Sequence, residues 1–525
     1  MDRHFIQILL PLKLQWNPFY YSTEDVSRGQ IVSVVFSGRR YNGVVYRTNC
    51  APDLASSSIK QISSVRADLP TILETELQLW EFIASYYVCT IGEVFKAAYP
   101  VGKFNGEIMA AARTERLKKR LSAIEADLCK KHRDSVMQRL NLERDKIIAS
   151  LPSPLTQSPQ SRQTPSTGII PRPMLITGPS RYEHYESVIK KCLQNELQVL
   201  VLSPETALCE QLADTIGIQT VVHHGKTDKY ITGVSAALRQ GSPIAVAGTR
   251  MAIFLPFSQL GAIIIDEEQD PSFKQNEPAP RYNARDCAVF MGRLHKCPVV
   301  LGSSLPSLES IYNCLSGKYS IKGGIFPKFS NHIEFIDIQA ERKKNGMLGY
   351  FSRKLLERIG GCQGKICLIR GWENQEELSA QIARFFPEKE ISIITLSELK
   401  KNGNADAILT AVLQIDALSE RDDFRSDERM LQTVSMLEGV CCRHGAKLVI
   451  QTELISKFGQ KRSYEALLEE RREFGFPPFT RMVDVRNADG KMISRHFIEK
   501  GSDLTAAKNA IRKAIPPSCY LDVDP

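Results

Sequence analysis

"IIIDEEQD", residues Ile263–Asp270, decides how this chain is read. Three apolar β-branched residues ending in acids describe a strand buried on both faces whose carboxyl end lifts carboxylates out of a sheet. Short runs of the same kind surround it: "LQVLVLSP" (197–204), "TVVHHG" (220–225), "SPIAVAG" (242–248) and "CPVVLGSS" (297–304). Helical stretches such as "ETALCEQLADTIG" and "ARDCAVFMGRLH" separate them. Apolar strands alternating with helices predict a parallel sheet covered on both faces. A weaker series of the same type runs from about 333 to 455, through "HIEFIDI", "GKICLIRG", "ISIITL" and "KLVIQT". The tail, "FPPFTRMVDVRN" through "CYLDVDP", reads as a strand–helix–strand unit.

The 525 residues exceed what one core supports and call for three or four domains. An apolar fraction of 43% and a charged fraction of 24% are ordinary for a globular protein. The start, "MDRHFIQILLPLKLQ", is too short and polar for a signal peptide, and no run approaches a membrane span, so a cytoplasmic protein is expected. Thirteen scattered cysteines without a C-x-x-C pair read as buried or idle thiols, with no zinc site and no metal ligands. The formal charge of +9 permits a polyanionic partner without requiring one.

Before the parallel series, residues 1–102 alternate β-type runs with turn signals and then change to helical spacing in "TILETELQLWEFIASYY". Residues 103–149 form a basic helical segment: 103–148 holds 12 Lys/Arg against 7 Asp/Glu, with Leu117, Leu121, Ile124 and Leu128 at coiled-coil spacing and a break near Lys131. It reads as a bent helix or helical hairpin, either a solvated, salt-bridged pair or a basic arm for nucleic acid. Residues 150–173, with six prolines, read as a linker.

An acid pair at a strand end serves a magnesium-nucleotide only if a glycine-rich loop holds the phosphates after the first strand, with a Lys for their charge and a Ser/Thr for the metal. In that place stands "PMLITGPSRYEHY" (173–185). It keeps Gly178 but puts Arg181 where the Lys belongs and Tyr182 where the small hydroxyl belongs. A phenol is too bulky for the metal role, and a guanidinium fork replaces an ammonium poorly.

The stretch "GTRMAIFLPFSQLGAIIIDEEQDPSFKQNEPAPRYNARDCAVFMGR" (248–293) with "PVVLGSSLPSLES" resembles the first helicase lobe of the bacterial primosomal replication-restart family, PriA. "LPLKLQWNPFYY", "SGRRYNGVV", "SIKQI" and "WEFIASYYVCTIGEVFKAAYP" resemble that family's domain for DNA 3′ ends, while "DDFRSDERMLQ" and "EERREFGFPPF" match its second lobe. The resemblance covers about 400 residues in consistent order. It implies two RecA-like α/β lobes (174–330 and 331–456), preceded by a small β-rich DNA-binding domain and followed by a small α+β domain (457–525).

The departures shape the functional expectation. The family's DEEH ends here in Gln269, its S-A-T reads Ser303-Ser304-Leu305, and its G-R-A-G-R becomes "GVCCR", leaving Arg443 alone in register. The zinc insert is gone between "IRGW" and "ENQEEL". Losing one arginine finger costs about 10³–10⁵ in rate at related sites. Little or no turnover is therefore expected, with Mg-ATP bound weakly if at all, and an active 3′–5′ helicase or a scaffold that binds no DNA stand as rivals. Asp266 and Glu267 are then either a structural ligand for nucleotide or relics in salt bridges to Arg250, Arg281 or Arg285.

The resemblance also assigns DNA contacts. Phe19, Tyr21, the Gly38–Gly43 turn with Arg39 and Arg40, and Lys60 would form a 3′-end pocket, unless the aromatics are plain strand core. Phe273, Lys274, Arg281, Tyr282 and Arg285 would sense single strands, unless their loop is a strut between the two lobes. The partners implied are branched or single-stranded DNA, other primosome proteins and single-stranded-DNA-binding protein, with no membrane, in the nucleoid region of the cytoplasm.

Overall fold

The computed structural model describes residues 3–52, 58–100, 116–126, 128, 137, 140–146, 170–178, 180–204, 209–210, 212–214, 220–223, 228–324, 333–402, 406–416, 423–458 and 464–525. Most of the expected linker lies outside them.

The N-terminal sheet has six strands. His4–Leu9 pairs antiparallel with Phe19–Ser22 on one side and Arg39–Arg47 on the other; Ile31–Phe36 follows, and two-residue strands close the edges. Alternation puts Ile6, Ile8, Tyr20, Val32, Val34 and Val45 into one core. Helices Glu74–Tyr86 and Ile91–Ala98 cover the other side, with Trp80 stacked on Phe95 at 5.5 Å. The first helix starts where the Glu76 carboxylate accepts the Leu73 N–H at 2.9 Å.

The expected parallel sheet is present. Seven strands lie in the order Ser320–Lys322, Met174–Thr177, Val299–Ser303, Leu260–Ile265, Gln198–Leu202, Ala245–Gly248, Thr220–His223, all parallel. Side chains of Leu260–Ile265 divide between two cores: Ile263 and Ile265 face helix Ala284–Leu294, while Ala262 and Ile264 face helix Arg181–Gln194. That two-sided burial is why the strand reads as an unbroken apolar run. A second parallel sheet of five strands has Lys447–Thr452, Leu409–Val412 and Ile366–Arg370 in its middle. The tail carries one strand more than its sequence suggests: Thr480–Arg486 is flanked by Met492–Glu499 and Tyr520–Val523, with helix Leu504–Ala514 between them. "MISRHFIE" carries no clear strand signal because its polar residues break the apolar run.

In the basic segment, Ile124 packs with Leu140, and Arg120 pairs with Glu143 at 2.9 Å. These contacts set residues 116–126 alongside 140–146 in opposite directions.

The units are joined by side chains, not merely tethered. Arg239 of the first lobe pairs with Glu76 at 3.1 Å, and Phe290 stacks on Phe82 at 4.0 Å. Lys508 of the tail donates to the carbonyls of Ser85 and Tyr86 at 3.0 and 2.6 Å. Leu305, Leu308 and Ile311 of the first lobe share a core with Leu431 of the second and with Tyr464, Leu467 and Leu468 of the tail. The buried Glu428 carboxylate accepts from the Leu308 N–H at 2.9 Å, from Gln432 and from Arg471. Arg425 pairs with Glu309 at 2.9 Å, and Lys400 with Asp270 at 2.8 Å.

Burial works against the Glu309 charge, but Arg425, Arg471 and Arg285 outweigh it and hold the carboxyl well below its ordinary range. A depressed acid contributes stability that is complete above its unfolded value and is lost as pH falls through the folded one. Glu309→Gln should therefore lower the thermal midpoint at neutral pH, and the gap from the wild type should narrow steadily below about pH 4. Midpoints recorded from about pH 7 to pH 3 check this.

Candidate functional site

The carboxyl end of Leu260–Ile265 delivers Asp266 and Glu267 beside the loop after Met174–Thr177, the place in a parallel α/β sheet where ligands sit. Gly178 turns there with φ +87, a conformation open to glycine. Helix Arg181–Gln194 starts next, and its first residue folds back into the seat. Arg181 Nε donates to Asp266 at 2.9 Å, and its second arm reaches Glu267 at 2.5 Å. Nη1 donates to the Gly178 carbonyl at 3.2 Å, and the nitrogen that reaches Glu267 also donates to the Tyr182 hydroxyl at 2.7 Å. The arginine side chain is only 6% exposed. Thus the expected partners were wrong: Arg250 bonds to Gln275, Arg281 pairs with Glu277, and Arg285 pairs with Glu268. Arg181 wins because it lies across the seat while they serve the neighbouring loop.

Tyr185, one helical turn after Arg181, donates to Asp266 at 2.9 Å from a fully buried ring. The sequence reading missed it; the i, i+4 spacing to Arg181 was the available signal. Gly302 makes room for it, since a Cβ there would fall 1.4 Å from the Tyr185 hydroxyl. Ser304 donates to Glu267 at 2.8 Å, and Gln269 to the same carboxylate at 2.6 Å. Burial pushes the Asp266 carboxyl upward while Arg181 pulls against it. Burial opposes the Arg181 charge as well, but Asp266 and Glu267 prevail and raise its pKa further. Both acids are therefore satisfied from within the chain. The Arg443 side chain lies outside the described residues.

The loop expected to sense single strands is an internal strut instead. Phe273 and Tyr282 are each 1% exposed, so neither ring has a face to offer a base. Lys274 donates to Arg281 and Val523 carbonyls at 2.8 and 2.6 Å and pairs with Asp522. Arg281 lies 3.4 Å over the Tyr520 ring, and Arg285 joins Glu268 to Ser307. Through Lys274 and Arg281 the loop ties the first lobe to the tail, a role different from either a strand sensor or a lobe-to-lobe strut.

In the N-terminal domain, Phe19 and Tyr21 are half-buried on one face of their strand, with Arg3 over the Tyr21 ring at 4.7 Å. Tyr20 points the other way into the core, and its hydroxyl donates to the Val35 carbonyl at 3.0 Å. Lys60 is exposed on the neighbouring strand. Arg39 and Arg40 are exposed at the start of theirs, after a turn at Gly38 with φ +77. Gly43 is not part of that turn. It sits mid-strand, where a Cβ would meet Ile8 at 2.4 Å, so close packing explains it. The described contacts link Tyr20 to the hairpin strand; Phe19 and Tyr21 stand on the opposite face.

Residues 7–100 match the PriA 3′DNA-binding domain (3′BD) family. A replication restart protein PriA of Rickettsia prowazekii is 29% identical over 370 residues, covering 68% of this chain and 51% of that protein. The PriA of Haemophilus influenzae is 37% identical over 194 residues, covering 35% of this chain and 26% of that one. Over about two thirds of its length the chain is similar to PriA proteins. It spans about half the length of the Rickettsia PriA it matches. Among solved structures, a DEAD box protein from Methanococcus jannaschii shares 14% identity, covering 58% of this chain and 87% of its own, with a TM-score of 0.29. No helix among the described residues is long and apolar enough to cross a membrane.

Removing one partner of a buried ion pair costs about 3–5 kcal/mol, because the other charge stays buried. Arg181→Ala leaves two carboxylates facing each other, and its thermal midpoint should drop accordingly. Millimolar Mn²⁺ should raise the variant's midpoint and leave the wild type unmoved, since only the variant has acids to offer. Differential scanning fluorimetry with and without Mn²⁺ decides it.

Proposed function

We propose that this chain is a replication-restart protein that recognises branched DNA through its N-terminal domain and supports primosome assembly as a platform, with little or no ATP turnover. One observation carries the non-motor part: Arg181 occupies Asp266 and Glu267, the carboxylates that would hold a metal and orient water. A nucleotide would have to displace a buried cation held by two charge-assisted bonds before its own metal could enter. On this reading Mg-ATP binds weakly at most, and the chain uses no zinc.

The DNA part rests on the family match over residues 7–100 and on the chemistry of that surface. Phe19 and Tyr21 supply ring faces, the Gly38 turn brings backbone N–H groups, and Arg39, Arg40 and Lys60 supply charge. The protein partners of this reading are other primosome proteins and single-stranded-DNA-binding protein.

Fluorescence anisotropy with forks that carry or lack a leading-strand 3′ hydroxyl tests the reading. Binding should favour the 3′-hydroxyl fork and fall by about 10³ or more between 50 and 200 mM salt if six or more phosphates are contacted. Equal, negligible binding to both forks would remove it. Phosphate release stimulated by single-stranded DNA should stay at background, with Asp266→Ala as the control for contaminating ATPase.

A further inference from the structure

The tail's strand Met492–Glu499, "MISRHFIE", lies at the edge of its sheet. Thr480–Arg486 pairs with one side of it, and no strand among the described residues pairs with the other. An edge presents unpaired N–H and C=O groups, which proteins blunt with proline, charge or a cover. This edge has no proline. Its one arginine leans onto the neighbouring strand, with Arg495 Nε and Nη2 donating to the buried Asp484 carboxylate at 2.7 and 3.0 Å. The ladder is regular from Ser494 to Glu499 and passes over Ile493, which is 60% exposed.

An apolar ridge borders this edge. Alternation turns Ile498 into the core and leaves Phe497 exposed. Phe497 lies 5.4 Å from Phe476, which stacks on Phe424 at 4.8 Å and on Phe474 at 6.1 Å. Phe474 is 61% exposed. One of these four rings belongs to the second lobe and three to the tail, and the ridge is fixed where they meet. The Phe476 N–H donates to the Arg471 carbonyl at 2.8 Å, and the Arg471 guanidinium lies 4.9 Å over the Phe424 ring. Rings held this way lose little entropy when a partner settles on them.

Charge selects the partner. Phe424 and Phe476 also border a cavity of about 250 Å³ lined by Asp423, Asp427, Glu428, Glu470, Lys457 and Arg471. Its two bases are committed, Lys457 to Asp427 at 2.5 Å and Arg471 to Glu428. Glu470 is exposed and forms no ion pair among the described residues. Hydrogen bonds to Asp484 raise the Arg495 pKa, and the charge of Asp423 adds to it, which sets that acid near the edge strand. The open ladder thus runs beside an apolar ridge that ends in an acidic cavity. An extended segment with apolar residues followed by Lys or Arg on one face satisfies all three. Its backbone completes the ladder, its apolar side chains cover the rings, and its cations meet the acids. The same acids repel a phosphate backbone.

We propose that the Met492–Glu499 edge, with Phe474, Phe476, Phe497, Asp423 and Glu470, docks an extended basic segment of a protein partner by strand addition. The proposal goes beyond the DNA reading and does not depend on it, because no nucleic acid enters its test.

The probe is a fluorescein-labelled peptide, Val-Thr-Val-Thr-Lys-Thr-Lys, titrated with the full chain and followed by anisotropy. At low salt it should bind about tenfold more tightly than the same peptide with Glu in place of Lys. Prolines as its third and fourth residues remove N–H groups from both of its edges and should weaken it about tenfold. Phe497→Lys should weaken the lysine peptide by a similar factor, and Ile493→Lys repeats the test at a side chain outside the ring cluster. Glu470→Lys should shrink the preference for lysine over glutamate. The proposal is overturned if the lysine peptide fails to bind at millimolar concentration, or if the proline peptide binds equally well. It is also overturned if Glu470→Lys leaves the lysine preference intact. Sedimentation showing a dimer that Phe497→Lys dissolves would overturn it too, since a second copy of the chain would then fill the edge.

Discussion

A carboxylate lifted off the end of a buried parallel strand must meet a positive charge, and that demand organises this molecule. Asp266 and Glu267 sit where a strand buried on both faces ends, with little water to stabilise them. Arg181 supplies the charge from the adjoining helix, and Tyr185 completes Asp266 through the space left by Gly302. A metal could satisfy the same acids, but a side chain already attached to the fold needs no concentration in solution to do so.

The same habit appears at larger scale. Contacts that could open and close in a two-lobe machine are buried here as shared core and paired charge, from Leu305 and Leu431 to Glu428 and Arg471. Lys274, Arg281 and Arg285 are likewise committed to neighbours within the chain. Buried ion pairs of this kind add little stability over apolar packing, yet they are costly to break halfway. They therefore favour one arrangement of lobes and tail.

Function on this account belongs to surfaces rather than to the cleft. The N-terminal sheet divides its aromatics by face: Tyr20 supports the core, and Phe19 and Tyr21 remain partly open. The tail displays Phe474 and Phe497 beside an open strand edge. Rigid scaffolding fixes the direction of these exposed rings.

Apolar periodicity alone fixed the two parallel sheets, the β-rich start and the helix after it, because burial on one face or both writes itself directly into residue order. That Arg181 and Tyr182 stand where a Lys and a small hydroxyl would serve a phosphate was equally plain, since single residue types carry that chemistry. Which arginine would meet Asp266 was not legible, because Arg181, Arg250, Arg281 and Arg285 have the same local signature and only their placement across the seat separates them. The fate of Phe273 and Tyr282 was hidden for a related reason: an aromatic beside an arginine reads alike in a binding loop and in a strut. The extra strand Met492–Glu499 was masked by its polar residues. Residue order sets what each segment can bury, but the choice among equivalent charges and rings depends on distances between segments far apart in the chain, and those exist only once it has folded.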